Sequence, residues 1–193
     1  MAEDAATELA RAVARTAANA FGGRPEVGRY YDEPETNWVD LLSCRDAPEA
    51  GLVSYSTVTL HRAPNFVAGE DVRVELAGVA RSAEPAFANA LTWIALTIIK
   101  DHWMAAPGVV YPNVLQRLEL SMSVAHLMLV EPFEWEGLGE VQLVGAPIVH
   151  WLHAVPISES EYRFLLEHGF DEILDKLTAA DVAYVDMERP SVV

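Results

Sequence analysis

The stretch WLHAVPISESEYRFLLEHG, residues 151–169, joins two kinds of secondary structure and decides the fold class. Its first half continues an apolar run, 148–155, that follows a Gly-Ala-Pro turn, which predicts a strand. Its second half has Ser158 and Glu161 at the spacing of a capping box, in which each side chain bonds to the other residue's backbone N–H. Gly169 then ends the helix, because glycine adopts a positive φ without steric cost. A strand that runs directly into a capped helix predicts a domain that contains both.

Upstream of this stretch, short runs rich in β-formers predict a sheet. Residues 72–77 (VRVELA) alternate between apolar and charged side chains. This alternation predicts that Arg73 and Glu75 face water and that the apolar residues, Val72, Val74 and Leu76, face the core. Residues 123–130 are apolar on both faces and predict a central strand. The remaining predicted strands lie at 28–33, 37–44, 52–60, 141–144 and 183–189.

Helical periodicity predicts four helices around this sheet. Residues 3–21 carry apolar residues four apart, within an N-terminal segment 1–24. A long, mostly buried helix begins near Pro85, and its apolar stripe extends to Trp103. The helix that Ser158 caps has Tyr162, Leu165 and Leu166 as its predicted inner face, and another short helix spans 170–179. We therefore expect one α+β domain over residues 1–193, with a mixed, mainly antiparallel sheet, a long buried helix and two short C-terminal helices packed on it.

The chain is strongly acidic, with a formal net charge of −16. Residues 131–193 carry 13 acidic and 3 basic side chains, so the last third of the chain holds most of the excess. No basic patch is evident, which argues against binding to nucleic acid or to an anionic membrane. The acidity serves either solubility or electrostatic steering toward a basic protein partner.

The chain has one cysteine, Cys44, so it cannot form an internal disulfide. The N-terminus MAEDAATELA lacks the pattern of a secretory signal. The longest apolar tract, 86–99, is too short to span a bilayer. We expect a cytoplasmic protein whose cysteine is a small buried side chain.

No motif singles out a catalytic, metal or cofactor site. His150 and His153 are three residues apart in a predicted strand and point to opposite faces, so they do not converge on one ion. The sequence has no HExxH, CxxC, GxSxG or phosphate-binding loop. We expect a non-enzymatic protein without metal or cofactor. The alternative is a small-ligand-binding protein or hydrolase with a site near His126, His150 and His153.

The segment EPFEWEGLGE, 131–140, combines carboxylates with large aromatics between prolines and glycines. Such a loop is suited to a protein interface with a basic partner. Its candidate binding residues are Glu131, Glu134, Trp135, Glu136 and Glu140. The alternative is that Phe133 and Trp135 insert into the core beneath an ordinary acidic turn.

Four segments follow one another along the chain: TVTLHRAPNF (57–66), HLMLVE (126–131), VPIS (155–158) and DMER (186–189). In this order they resemble the suppressor-of-fused domain family in its bacterial, single-domain form, and the resemblance covers residues 25–191. It implies a mixed α/β domain without known catalysis. The related animal protein restrains a transcription factor by clasping a short peptide as an added strand between two domains, and this chain resembles the first of those.

The resemblance also implies a protein-binding role. Bacterial relatives are thought to include immunity proteins that neutralise toxins, which makes a basic toxin domain the expected partner. A further alternative is a scaffold that binds peptides at an exposed sheet edge. The sequence leaves the oligomeric state open.

Overall fold

The computed structural model describes residues 2–82 and 84–193, without the side chains of residues 2–5. Residue 1 of the predicted N-terminal segment lies outside this range. The helices are α1 (Ala2–Phe21), α2 (Phe87–Asp101), α3 (Val114–Arg117), α4 (Glu159–His168) and α5 (Phe170–Ala179). The strands are β1 (Pro25–Tyr31), β2 (Trp38–Arg45), β3 (Leu52–Thr57), β4 (Phe66–Val67), β5 (Glu70–Asp71), β6 (Arg73–Arg81), β7 (Val110–Tyr111), β8 (His126–Val130), β9 (Glu140–Val141) and β10 (Val149–Ile157).

One eight-stranded sheet organises the chain, in the order β1-β2-β3-β6-β10-β8-β7, with β9 paired to the start of β10. The pairing of β6 with β10 is parallel, and the other ladders of this sheet are antiparallel. The predicted mixed, mainly antiparallel α+β architecture is therefore confirmed. The run 123–130, predicted as a central strand, forms β8 only over residues 126–130. This strand lies one place from the β7 edge, and β6 and β10 occupy the middle.

One face of the sheet is covered by α2. Phe87, Leu91, Ile94 and Ile98 are buried against side chains that include Leu76 of β6. This stripe is the one that its helical periodicity predicts. Trp103 falls outside α2 and is exposed, because His102 adopts a left-handed conformation that ends the helix.

The other face is covered in two parts. Helix α1 packs its buried residues Leu9, Val13, Ala17 and Phe21 beside Trp151 of β10. Helices α4 and α5 pack on the far end of β10 and on β8. Of the predicted inner face of α4, Leu165 is buried and Leu166 is exposed, so the buried stripe is narrower than predicted.

The prediction that Glu75 faces water is wrong. Its side chain is 0% exposed, because both faces of β6 are covered. Its carboxylate accepts hydrogen bonds from the backbone N–H groups of Leu60 and His61, and the His61 ring lies 2.5 Å away through Nδ1. These hydrogen bonds satisfy the buried carboxylate of Glu75. The alternating sequence pattern by itself had placed this side chain on the solvent-exposed face.

The prediction of a strand at 183–189 is also wrong. This segment forms turns, yet Met187 and Arg189 are buried. Arg189 donates to both carboxylate oxygens of Glu161, at 2.7 and 2.8 Å, and to the carbonyl of Pro156. The backbone groups of this segment form hydrogen bonds within turns and with side chains. They do not pair with a neighbouring strand.

The capping box is confirmed at the start of α4. Ser158 Oγ accepts from the Glu161 N–H, and Glu161 Oε2 accepts from the Ser158 N–H. Gly169, with φ of 96°, ends α4 and begins α5. Cys44 is buried as expected. None of the helices in the described part of the chain is long and apolar enough to cross a membrane.

Candidate functional site

The segment 131–140 connects β8 to β9 and lies along the first half of β10. Glu131, Glu136 and Glu140 are exposed, as predicted, and Phe133 is 56% exposed between them. We call these four side chains the loop surface. It presents three carboxylates and one aromatic ring to the solvent.

Trp135, predicted as a binding residue, is only 5% exposed. Its indole N–H donates to Ser54 Oγ at 2.8 Å, and its ring centroid lies 5.0 Å from that of Phe21. The expectation that Trp135 faces a partner is therefore wrong. A large apolar ring whose single N–H has a buried acceptor is more stable inside the core. Trp135 instead anchors the loop to the sheet and to α1.

Glu134 is half-buried and forms a second anchor. Its carboxylate accepts a hydrogen bond from the hydroxyl of Tyr184, in the segment that follows α5. Burial, and then the hydrogen bond to Glu134, raise the pKa of Tyr184. Neither the position of Tyr184 nor its partner has a signal in the sequence, since the two residues are 50 positions apart.

His153 lies beneath the loop and is fully buried. Its ring centroid is 4.9 Å from those of Phe133 and Trp135 and 5.7 Å from that of Tyr184. Within the described residues neither ring nitrogen has a hydrogen-bond partner. Burial lowers the pKa of His153 to about 3, so the ring is neutral at physiological pH.

The three histidines of the alternative site are not brought together. His150 and His153 point to opposite faces, as predicted, and His150 is half-exposed beside Glu140. His126 pairs in register with Ile157, which is about 13 Å along β10 from His153 at roughly 3.3 Å per residue. Among the residues that the structure describes, no three His, Cys, Asp or Glu side chains form a group that could hold a metal ion.

His126 has a structural role. Its Nδ1 accepts from the Asn113 N–H at 2.9 Å, and its Nε2 lies 3.1 Å from Glu159 Oε2. Burial lowers the pKa of His126, although Glu159 opposes that shift. The histidine thus ties α3 to the start of α4.

A groove of about 460 Å³ opens beside the loop, on the α2 face of the sheet. Val74 and Leu152 contribute to its apolar lining, and Glu131, Glu140 and His150 also line it. We call it the acidic groove. Two of the five predicted binding residues therefore border one concave, partly apolar surface.

The fold and this site define an acidic α+β domain with an exposed acidic loop beside a partly apolar groove. The profile of the Suppressor of fused protein (SUFU) family matches residues 35–190. The chain belongs to this family, which confirms the resemblance read from the sequence.

Known relatives agree with this assignment. The chain is 36% identical over 189 residues to the immunity protein YqcF of Bacillus subtilis (strain 168), covering 97% of this chain and 98% of the relative. Its fold is similar to a SUFU homologue from Neisseria gonorrhoeae FA 1090, with a TM-score of 0.73 at 16% identity, over 97% of this chain and 98% of the other. It is also similar to a chain of the Sufu–Fu complex, with a TM-score of 0.69 at 14% identity, over 95% and 92% of the two chains. The family and the immunity-protein relative indicate a role in protein interaction, and the two solved structures show the shared fold.

Proposed function

We propose that this chain is a cytoplasmic immunity protein, acting as a single non-enzymatic domain, that binds and neutralises a basic toxin protein. The observation that carries the proposal is the loop surface, in which the exposed carboxylates of Glu131, Glu136 and Glu140 share one segment with the exposed ring of Phe133. An aromatic side chain supplies contact area, and carboxylates in the same segment favour a cationic partner. The immunity protein YqcF, 36% identical, provides the functional precedent.

The charge of the chain supports a basic partner. A net charge of −16 creates a field that attracts cations over distances longer than one contact. Such a field raises the association rate of a basic partner, and fast capture is valuable when the partner is toxic.

The anchors beneath the loop support a preformed binding surface. Trp135 bonds to Ser54, and Glu134 bonds to Tyr184, so the loop is fixed at two points on the folded domain. A surface that is already ordered loses less conformational entropy on binding. The loop is therefore expected to bind without rearrangement.

The buried chemistry of the site favours binding over catalysis. His153 is neutral and enclosed by rings, His126 is used in structural contacts, and His150 lies on the other face of the sheet. These histidines lack the mutual geometry that acid–base catalysis requires. This arrangement supports the non-enzymatic proposal over the hydrolase alternative.

Where a neighbouring gene encodes a secreted protein, that protein is the candidate toxin for the test. Its C-terminal domain is expressed in a sensitive host with and without this chain, and survival is scored. Association rates of the purified proteins are then measured at low and high ionic strength. We expect rescue of growth, and an association rate that falls as salt screens the opposite charges.

A matched pair of variants tests the surface assignment. E131Q/E136Q/E140Q removes three charges from the loop region, and E167Q/E172Q/D175N removes three from exposed positions on α4 and α5. We expect the loop variant to slow association about tenfold and the control to change it much less. Equal effects of the two variants would show that net charge, and not this surface, guides binding. Failure of the wild-type chain to rescue growth or bind the domain would refute the toxin assignment for that partner.

A further inference from the structure

Strand β1 presents an open hydrogen-bonding edge. It ends the sheet order and pairs on one side with β2 through all seven of its residues. Val27 and Tyr31 are 59% and 51% exposed. An exposed edge of this length is a template for pairing with another strand.

The register shows which backbone groups point outward. In an antiparallel ladder, hydrogen-bonded and non-bonded pairs alternate. The Asp32 N–H donates to the Asn37 carbonyl, and the Val58 N–H donates to the Asp40 carbonyl. Even-numbered residues of β2 therefore bond to β3, and odd-numbered residues bond to β1.

It follows that the odd-numbered residues of β1 direct their backbone groups to the open edge. Val27, Arg29 and Tyr31 each present an N–H and a C=O there. Pro25 presents only a C=O, because proline has no N–H. Because the nitrogen of Pro25 points to the open edge, its missing N–H removes no hydrogen bond between β1 and β2.

Opposite charges flank the two ends of this edge. Arg24, just before β1, is exposed and has no ion pair among the described residues. Just after β1, Asp32, Glu33 and Glu35 form an acidic turn. Hydrogen bonds, first from the Asn37 backbone, lower the pKa of Asp32 and keep its carboxylate ionised.

We propose that β1 pairs antiparallel with β1 of a second copy of this chain, with Gly28 opposite Gly28 across a two-fold axis. This register sets Val27 opposite Arg29 and Pro25 opposite Tyr31. Every outward N–H of each copy then donates to an outward carbonyl of the other. Arg24 of each copy lies opposite the acidic turn of its partner, so the ends of the edge are charge-complementary.

The neighbouring registers are less favourable. A shift that sets Arg29 opposite Arg29 places like charges together, which destabilises a strand pair. A shift that sets Val27 opposite Val27 moves Arg24 away from the acidic turn and leaves outward N–H groups of Tyr31 unpaired. The Gly28 register is self-complementary and closes as a dimer.

Arg29 does not obstruct this contact. Its guanidinium makes two hydrogen bonds to Asp40 of the same chain, at 2.7 and 2.9 Å, and lies 3.7 Å from the centre of the Trp38 ring. The side chain is held on its own sheet. A basic foreign strand would meet Arg24 and Arg29 at this edge, which favours a second copy over the basic partner of the loop surface.

The contact is one strand wide, so the dimer is weak and forms at high protein concentration. Sedimentation velocity on the full chain, up to about 1 mM, measures it. Val27→Pro removes one outward N–H and leaves the bonds to β2 unchanged, while Val27→Thr keeps the N–H. We expect V27P to raise the dimer dissociation constant at least about tenfold and V27T to change it little.

A charge variant tests the flanks of the edge. Arg24→Glu sets a carboxylate against the partner's acidic turn, and Arg15→Glu makes the same charge change at an exposed position on α1. We expect R24E to weaken the dimer more than R15E does. Circular dichroism checks that each variant is folded.

Amide exchange by NMR identifies the edge directly. At low concentration the amides of residues 26, 28 and 30 are protected by β2, and those of 27, 29 and 31 exchange quickly. At high concentration the second set becomes protected. A chain that stays monomeric overturns the proposal and leaves the edge to a foreign strand; a V27P variant that dimerises like wild type overturns it by placing the contact elsewhere.

Discussion

The imidazole of His153 packs against the indole of Trp135, with ring centroids 4.9 Å apart. The histidine belongs to the central strand β10, and the tryptophan belongs to the acidic loop that covers it. The His153 ring also lies 5.7 Å from that of Tyr184, which packs against both the core under α1 and the core under α4 and α5. The loop surface therefore lies over the buried imidazole of His153, whose protonation would place an unpaired charge in the core.

His153 makes stability depend on pH. Its folded pKa of about 3 lies below the ordinary value of 6.5, so the unfolded chain binds the proton first as pH falls. The stability that the domain has with His153 neutral is fully present above pH 6.5. Between pH 6.5 and about 3 the free energy of unfolding falls by roughly 1.4 kcal/mol per pH unit on account of this residue. We expect His153→Leu to lose less stability than wild type between neutral pH and pH 4.5, in urea unfolding. Parallel losses in the two proteins would contradict this burial.

Trp135 is expected to be a stability residue more than a contact residue. Trp135→Ala removes a buried ring and should lower the free energy of unfolding by about 3–5 kcal/mol. Trp135→Phe keeps an aromatic ring but removes the donor to Ser54, with a smaller loss of about 1 kcal/mol. Urea denaturation measures both. A neutral Trp135→Ala would mean that the indole is exposed in solution.

The Glu161–Arg189 pair holds the C-terminal segment on α4. Both residues are buried, so Arg189→Met leaves a buried carboxylate unpaired and should cost about 3–5 kcal/mol. Arg163→Met breaks the exposed pair with Glu159 and should cost less than about 1 kcal/mol. Similar losses in the two variants, measured by urea unfolding, would contradict this difference.

Gly78 permits the close approach of α2 to β6. A Cβ at this position would lie 2.7 Å from Phe87 Cε1 and 3.1 Å from Leu91 Cδ1. Gly78→Ala should therefore destabilise the domain by about 1–3 kcal/mol through overpacking. Gly139→Ala is the control, since a Cβ there meets nothing within 4 Å, and its effect should stay within about 0.5 kcal/mol. The melting temperatures of both variants provide the measurement.

Helices were the part of the fold that local sequence determined best. The predicted helices 3–21 and 170–179 correspond to α1 and α5, and the Ser158–Glu161 capping box begins α4 as predicted. These features depend on residues within one or two helical turns of each other, so a short stretch of sequence is enough to predict them.

The candidate site was predicted only in part, because burial depends on distant residues. The sequence located the acidic loop and its exposed carboxylates, but it could not show that Ser54 supplies an acceptor for Trp135 from 81 positions away. Likewise, strict alternation in 72–77 predicted a wet face for Glu75, whose partners lie 14 and 15 positions upstream. A two-residue period shows that a strand has two faces, not what covers each face.

The sequence by itself thus determined the α+β class, the main helices, the family and the acidic character of the chain. Only the tertiary structure decided the strand order, the parallel pairing of β6 with β10, the open edge of β1 and the burial of Trp135 and His153. The reason is physical: caps and periodicity are short-range, whereas the environment of a side chain is set by segments that meet only after the chain has folded.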